Sequence, residues 1–201
     1  MKNGKNLFAK KISYPKEMKE LFEMYKTIFN ENNLELGEMI FTYNYRQNLY
    51  FQHEFFYESK EGFDIIKKLL NYYNEDYFIL IKTLNTGIFK RKKHHIYKIP
   101  ASASFDKYIN GYYSSSNEDK RIFVEHAYPA CLFGSSLKWA ITIDYCALEL
   151  SILSVIDNLD FLSENNQLYT SIKKFIDDTY YIKNNPSTIE LIKNYEKNSK
   201  S

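Results

Sequence analysis

Two hydrophobic periods alternate along the chain, one near 3.6 residues and one of 2, and the points where they change over mark the expected elements. In residues 14–30, Met18, Leu21, Phe22, Tyr25, Ile28 and Phe29 fall on one helical stripe, with Pro15 placed for a first turn. The period then shortens. Met39, Phe41, Tyr43 and Tyr45 alternate with polar neighbours, as do Leu49, Phe51, His53, Phe55 and Tyr57, which predicts two strands joined near Asn44-Tyr45-Arg46. From 59 to 74 helical spacing returns through Phe63, Ile66, Leu69, Leu70 and Tyr73, with Ser59 as cap and Glu61 in the first turn. Residues 77–84 are a short apolar run bounded by Asn74-Glu75-Asp76 and Asn85-Thr86-Gly87, the pattern of a buried strand.

Further on, residues 88–99 are suited to pair with 77–84 across Asn85-Thr86-Gly87, and 100–117 reads mostly as loop with a helical turn around 105–109. Residues 138–144 and 148–156, rich in Ile, Val and Leu, predict two strands joined at Asp144-Tyr145-Cys146-Ala147 that form the central hairpin. Leu168, Ile172, Phe175, Ile176 and Tyr180 share a helical face, and Ser187-Thr188-Ile189-Glu190 after Pro186 has capping-box form. With no internal repeat and no linker, the pattern predicts one α+β domain over 1–201, flexible at 1–12 and 197–201. Its sheet is mixed or mainly antiparallel, packed by N-terminal, middle and C-terminal helices.

Composition narrows the class. A chain of 201 residues is long enough to bury roughly 70% of its unfolded surface. Near balance between 27 Lys+Arg and 25 Asp+Glu, with 19 Tyr and 15 Phe, argues against disorder and against a generally basic nucleic-acid binder. Only three of the basic residues are arginine, a bias that fits an AT-rich coding sequence and lowers the functional weight of the Tyr and Lys counts. Leu7-Phe8-Ala9 is too short for the apolar core of a secretion signal. The longest apolar-rich stretch, 139–156, is broken by Asp144 and Glu149, so no membrane span is expected. Cys131 and Cys146, without a Cys-x-x-Cys pair, suit a reducing cytoplasm and provide neither a disulfide scaffold nor a thiolate zinc site.

Candidate chemistry is sparse. His94 and His95 are adjacent, so on a strand they face opposite ways, and no metal site is expected. There is no Gly-x-Ser-x-Gly, and Gly134-Ser135-Ser136 lacks the lysine of a phosphate-binding loop, so no cofactor is expected either. Glu125, His126 and Asp144 are the residues an acid/base enzyme would use if the fold gathered them.

Charge distribution says more. Between 77 and 105 the chain carries Lys82, Lys90, Arg91, Lys92, Lys93 and Lys98 with no acidic residue; the 90–98 segment, interleaved with Tyr97, is a candidate nucleic-acid contact. The simpler account is an edge strand whose lysines deter sheet-to-sheet pairing. Between 139 and 172 the reverse holds: Asp144, Glu149, Asp157, Asp160 and Glu164 with no Lys or Arg. Asp144, Tyr145, Asp157, Asp160 and Glu164 are therefore candidate contacts for a basic partner. In 110–117, Tyr112 and Tyr113 stand among Gly, Ser and Asn, a composition found at recognition surfaces.

Gly134, Trp139-Ala140-Ile141, Asp144 and Glu149-Leu150-Ser151-Ile152-Leu153 are laid out as a loop glycine, a strand opening with tryptophan, an acidic turn and a strand opening with glutamate. Together with 123–129, this layout over roughly a fifth of the chain resembles the C-terminal segment of small cytoplasmic immunity proteins from bacterial polymorphic and contact-dependent toxin systems. The resemblance implies a stoichiometric, non-enzymatic binder that occludes a toxin's active site or a nearby surface. It transfers no contact residue. A pI near 8.3 departs from the acidic inhibitors of basic nucleases, so the target of such a protein need not be a nuclease.

Overall fold

The computed structural model describes residues 10–29, 41, 45–52, 55–86, 91–113, 128–143, 150–179, 193 and 195. The fold is α+β. Strands β1 (Lys10–Lys11), β2 (Gln47–Gln52), β3 (Tyr77–Thr86), β4 (Arg91–Pro100), β5 (Tyr128–Gly134), β6 (Trp139–Ile143) and β7 (Leu150–Val155) form one sheet in the order β1-β4-β3-β5-β6-β7-β2. Every neighbouring pair is antiparallel. Helices α1 (Pro15–Ile28), α2 (Phe55–Glu58), α3 (Lys60–Tyr72), α4 (Phe105–Tyr113), α5 (Asp160–Ser163) and α6 (Ile172–Asp178) complete the described elements.

Helices cover both faces of this sheet, and successive side chains of each strand therefore enter different cores. On one face Leu49, Phe51, Phe78, Leu80, Leu132, Trp139, Ile141 and Leu153 meet α2, α3, α4 and α5. On the other, Tyr50, Ile79, Ile81, Cys131, Phe133, Leu150 and Ile152 meet α1 and α6. All five residues of β6 and all six of β7 are buried as a result.

Several elements match the hydrophobic pattern closely. Pro15 lies in the first turn of α1, whose buried residues are Leu21, Tyr25 and Ile28. Ser59 caps α3, accepting a hydrogen bond from the Gly62 N–H at 2.9 Å. The β3–β4 hairpin pairs Thr86 with Arg91, and β6 pairs with β7.

Five expectations are corrected. The strand expected through residue 57 ends at Gln52, because Phe55 and Phe56 are both buried on a helical turn, their rings 6.0 and 4.4 Å from that of Phe51. Gly62 makes that turn compatible with α3, since a Cβ there would strike the Phe55 carbonyl. The hairpin expected between 39–45 and 49–57 is not seen at the described residues. β2 pairs with β7, while Phe41 bridges to Phe29.

The segment read as mostly loop contains α4, which runs from Phe105 through Tyr113 and so takes in Tyr112 and Tyr113. The β6–β7 hairpin is off-centre; the middle strand is β5, which periodicity did not reveal. Ala130, Cys131, Leu132 and Phe133 are all buried, so no alternation marks them, and Pro129 argues against a strand interior. The sheet accommodates that proline at a register shift, where Lys82 pairs with Ala130 and Thr83 with Tyr128. In the C-terminal part, Leu168 packs on the face opposite to Ile172, Phe175 and Ile176. Residues 186–190 lie outside the described residues.

Candidate binding surface

The C-terminal end of α3 delivers three consecutive side chains to different environments. Tyr73 caps the helix and Asn74 follows with φ 54°, the left-handed conformation that reverses the chain. The Asn74 N–H donates to the Asn71 carbonyl at 3.2 Å and the Glu75 N–H to the Leu70 carbonyl at 2.8 Å, the paired bonds of a Schellman ending. This turn carries Glu75 inward. It is 7% exposed, and its carboxylate accepts from the Trp139 indole N–H at 2.7 Å and from the Ser136 backbone N–H at 2.6 Å. Gly134 lies against both groups, where a Cβ would overlap the carboxylate oxygens and Trp139 Nε1.

Tyr72 and Tyr73 remain at the surface beside this anchor. Tyr72 is 56% exposed and meets Tyr73 edge to face, the centroids 4.9 Å apart. The Tyr73 hydroxyl donates to Asp157 Oδ2 at 3.1 Å. Partial burial first, and then the hydrogen bond and negative charge of Asp157, hold the Tyr73 phenol above its ordinary ionisation range. It therefore stays a donor and fixes Asp157 in place. Asp160 and Glu164 are exposed at the two ends of α5, the Glu164 N–H bonding the Asp160 carbonyl at 3.0 Å. Two lysines flank the surface: Lys138 Nζ lies 5.4 Å from the Tyr73 ring centroid, and Lys68 Nζ lies 5.8 Å from that of Phe161.

The fold thus sets Asp157 beside Tyr73 and its neighbour Tyr72, which sequence reasoning assigned to no site, while Asp160 and Glu164 lie at the two ends of α5, and Asn165 after it donates to Glu61 in the first turn of α3 at 2.9 Å. The only available signal was the tyrosine doublet at the end of an amphipathic helix. Tyr112 and Tyr113 lie in the last turn of α4, and Asp144 and Tyr145 lie outside the described residues. So do Glu125 and His126. Of the basic segment, Arg91 to Lys93 lie on β4, and Lys98 Nζ sits 3.6 Å from the Tyr77 ring centroid, so its charge is engaged by an aromatic face.

Other reactive groups are placed structurally. Cys131 is buried in the core shared with α1 and α6, and burial pushes its thiol up to about 12, partly opposed by Thr142 and Tyr25. Among the described residues no group of three or more His, Cys, Asp and Glu side chains is arranged to hold a metal ion. Among the same residues no helix is long and apolar enough to cross a membrane. Comparisons with protein-family models, curated proteins and solved structures return no significant match.

Proposed function

We propose that the chain is a non-enzymatic cytoplasmic binding protein, an immunity protein that neutralises a cognate bacterial toxin by covering its active site or an adjacent surface. The observation that supports this reading best is the Tyr73–Asp157 hydrogen bond, which holds a carboxylate beside the exposed ring of Tyr72. An exposed aromatic anchor next to oriented carboxylates is suited to a protein partner: the ring supplies contact area, and the charges select a basic counterpart. In this role Tyr72 fills a hollow in the toxin while Asp157, Asp160 and Glu164 face its lysines or arginines.

Co-expression with the toxin encoded immediately upstream tests the proposal. Wild-type protein should restore growth, and a variant carrying Tyr72→Ala with Asp157→Asn, Asp160→Asn and Glu164→Gln should lose rescue while remaining folded. A toxic neighbour unaffected by the wild-type protein overturns the reading.

A further inference from the structure

The strand order leaves β4 almost at the edge of the sheet: only β1 lies outside it, and β1 is two residues long. β4 runs for ten residues and pairs with β3 over its whole length, from Arg91 opposite Thr86 to Pro100 opposite Tyr77. On its other side β1 covers Lys98 and Tyr97, and the last bond of that pairing runs from the Ile12 N–H to the Ile96 carbonyl at 2.9 Å. The chain then enters α1 at Pro15. Residues 91–95, a stretch of about 17 Å, therefore have β3 on one side and, among the described residues, no strand on the other.

Alternation fixes which groups this edge presents. Each residue of a strand turns its N–H and C=O to the same side, and successive residues turn to opposite sides. Ile96 turns away from β3 toward β1, so His94 and Lys92 also turn outward, each with one donor and one acceptor. Such a row is complemented by the backbone of a further strand, which carries donors and acceptors at the same spacing. Nucleic-acid phosphates only accept, and would use half of it.

Charge selects among strands. The open stretch contains Arg91, Lys92 and Lys93, Lys10 and Lys11 stand opposite Lys98 and Tyr97 on the same edge, and no acidic residue occurs from 77 to 105. A second copy laid edge to edge would set these cations against their own counterparts, which disfavours self-pairing. The same cations attract carboxylates. We propose that residues 91–95 of β4 accept an extended, glutamate- or aspartate-rich segment of a protein partner as an added strand. This edge is at the end of the sheet remote from β7 and β2, and the proposal does not depend on the toxin reading.

The test is a 1H–15N chemical-shift titration of the full chain with an acetylated, amidated heptapeptide in which glutamate alternates with valine. Two control peptides are a copy N-methylated at two adjacent central residues, which blocks both of its edges, and a copy with lysine in place of glutamate. Saturable shifts are expected at Lys92, His94 and their neighbours, weakened roughly fivefold or more by N-methylation and lost with the lysine peptide. Lys92→Pro removes one outward N–H and leaves the ladder with β3 in place, so it should weaken the acidic peptide by roughly the same factor. Absence of saturation, equal binding of either control peptide, undiminished binding by Lys92→Pro, larger shifts of the same amides with an oligothymidylate, or a dimer formed through β4 in the peptide-free protein would overturn the proposal. Because no toxin enters the experiment, its failure is distinguishable from failure of the immunity reading.

Discussion

Glu75 and Trp139 are joined by a buried hydrogen bond, carboxylate Oε2 accepting the indole N–H at 2.7 Å, although 64 residues separate them in the chain. The bond ties the turn after α3 to the start of β6 and supports the face on which Tyr72, Tyr73 and Asp157 lie. Removing the acceptor leaves the Trp139 and Ser136 N–H groups without it. Glu75→Ala should therefore lose about 3 kcal/mol in urea unfolding, and Glu75→Gln, which keeps an acceptor, should lose less. Trp139 is the sole tryptophan, so native-state fluorescence reports on this site directly. An Ala variant as stable as wild type would show that water replaces the carboxylate without cost.

Gly134 should be intolerant for a reason local to the same contact. A Cβ there meets the Glu75 oxygens and Trp139 Nε1, so Gly134→Ala should destabilise by about 2–3 kcal/mol. Deleting the carboxylate relieves part of that overlap. The Glu75→Ala/Gly134→Ala double variant should thus lose less than the sum of the single losses, with a coupling of about 1 kcal/mol or more. Strict additivity in the four-member cycle would argue against the shared space.

Cys131 should be unreactive in the native protein. In a Cys146→Ser background, alkylation at pH 8 should be slower than in denaturant by roughly two orders of magnitude, because burial raises the thiol pKa to about 12 and leaves little thiolate. The sign for stability follows. A thiol raised from 9.0 to about 12 on folding favours the native state fully below pH 9, and that contribution disappears as pH rises toward 12. Tyr73 and Tyr108 are raised too, mainly by burial. Unfolding free energy should fall above pH 9, and a rise there would contradict the assignment.

Two left-handed residues should respond oppositely to glycine. Asn74 has φ 54° in the Schellman turn, so Asn74→Ala should cost about 1 kcal/mol while Asn74→Gly stays within about 0.5 kcal/mol of wild type. Leu137 has φ 61° but also packs on the core shared with α1 and α6. Leu137→Gly should remain destabilising by about 1–2 kcal/mol, because lost burial exceeds relieved strain. Thermal melts of the three variants separate these cases.

Helical periods suffice for α1 and α3, and apolar runs bounded by turn residues for the β3–β4 and β6–β7 hairpins, because those elements are local and the strands pair with sequence neighbours. The Ser59 cap and the first-turn Pro15 are legible for the same reason. β5 is not: Pro129 near its start argues against a strand, and its pairing with β3 joins residues about 50 apart. α2 is hidden because Phe51, Phe55 and Phe56 are equally compatible with a strand until their ring packing decides.

The amino-acid sequence by itself determined an α+β class, most hydrophobic stripes and the clustering of carboxylates at Asp157, Asp160 and Glu164, since each is a property of residues close in the chain. Only the tertiary structure decided the strand order, the burial of Glu75 against Trp139 and the exposure of Tyr72. Each of these depends on which distant segments exclude water from one another, and local propensity carries no record of that partner.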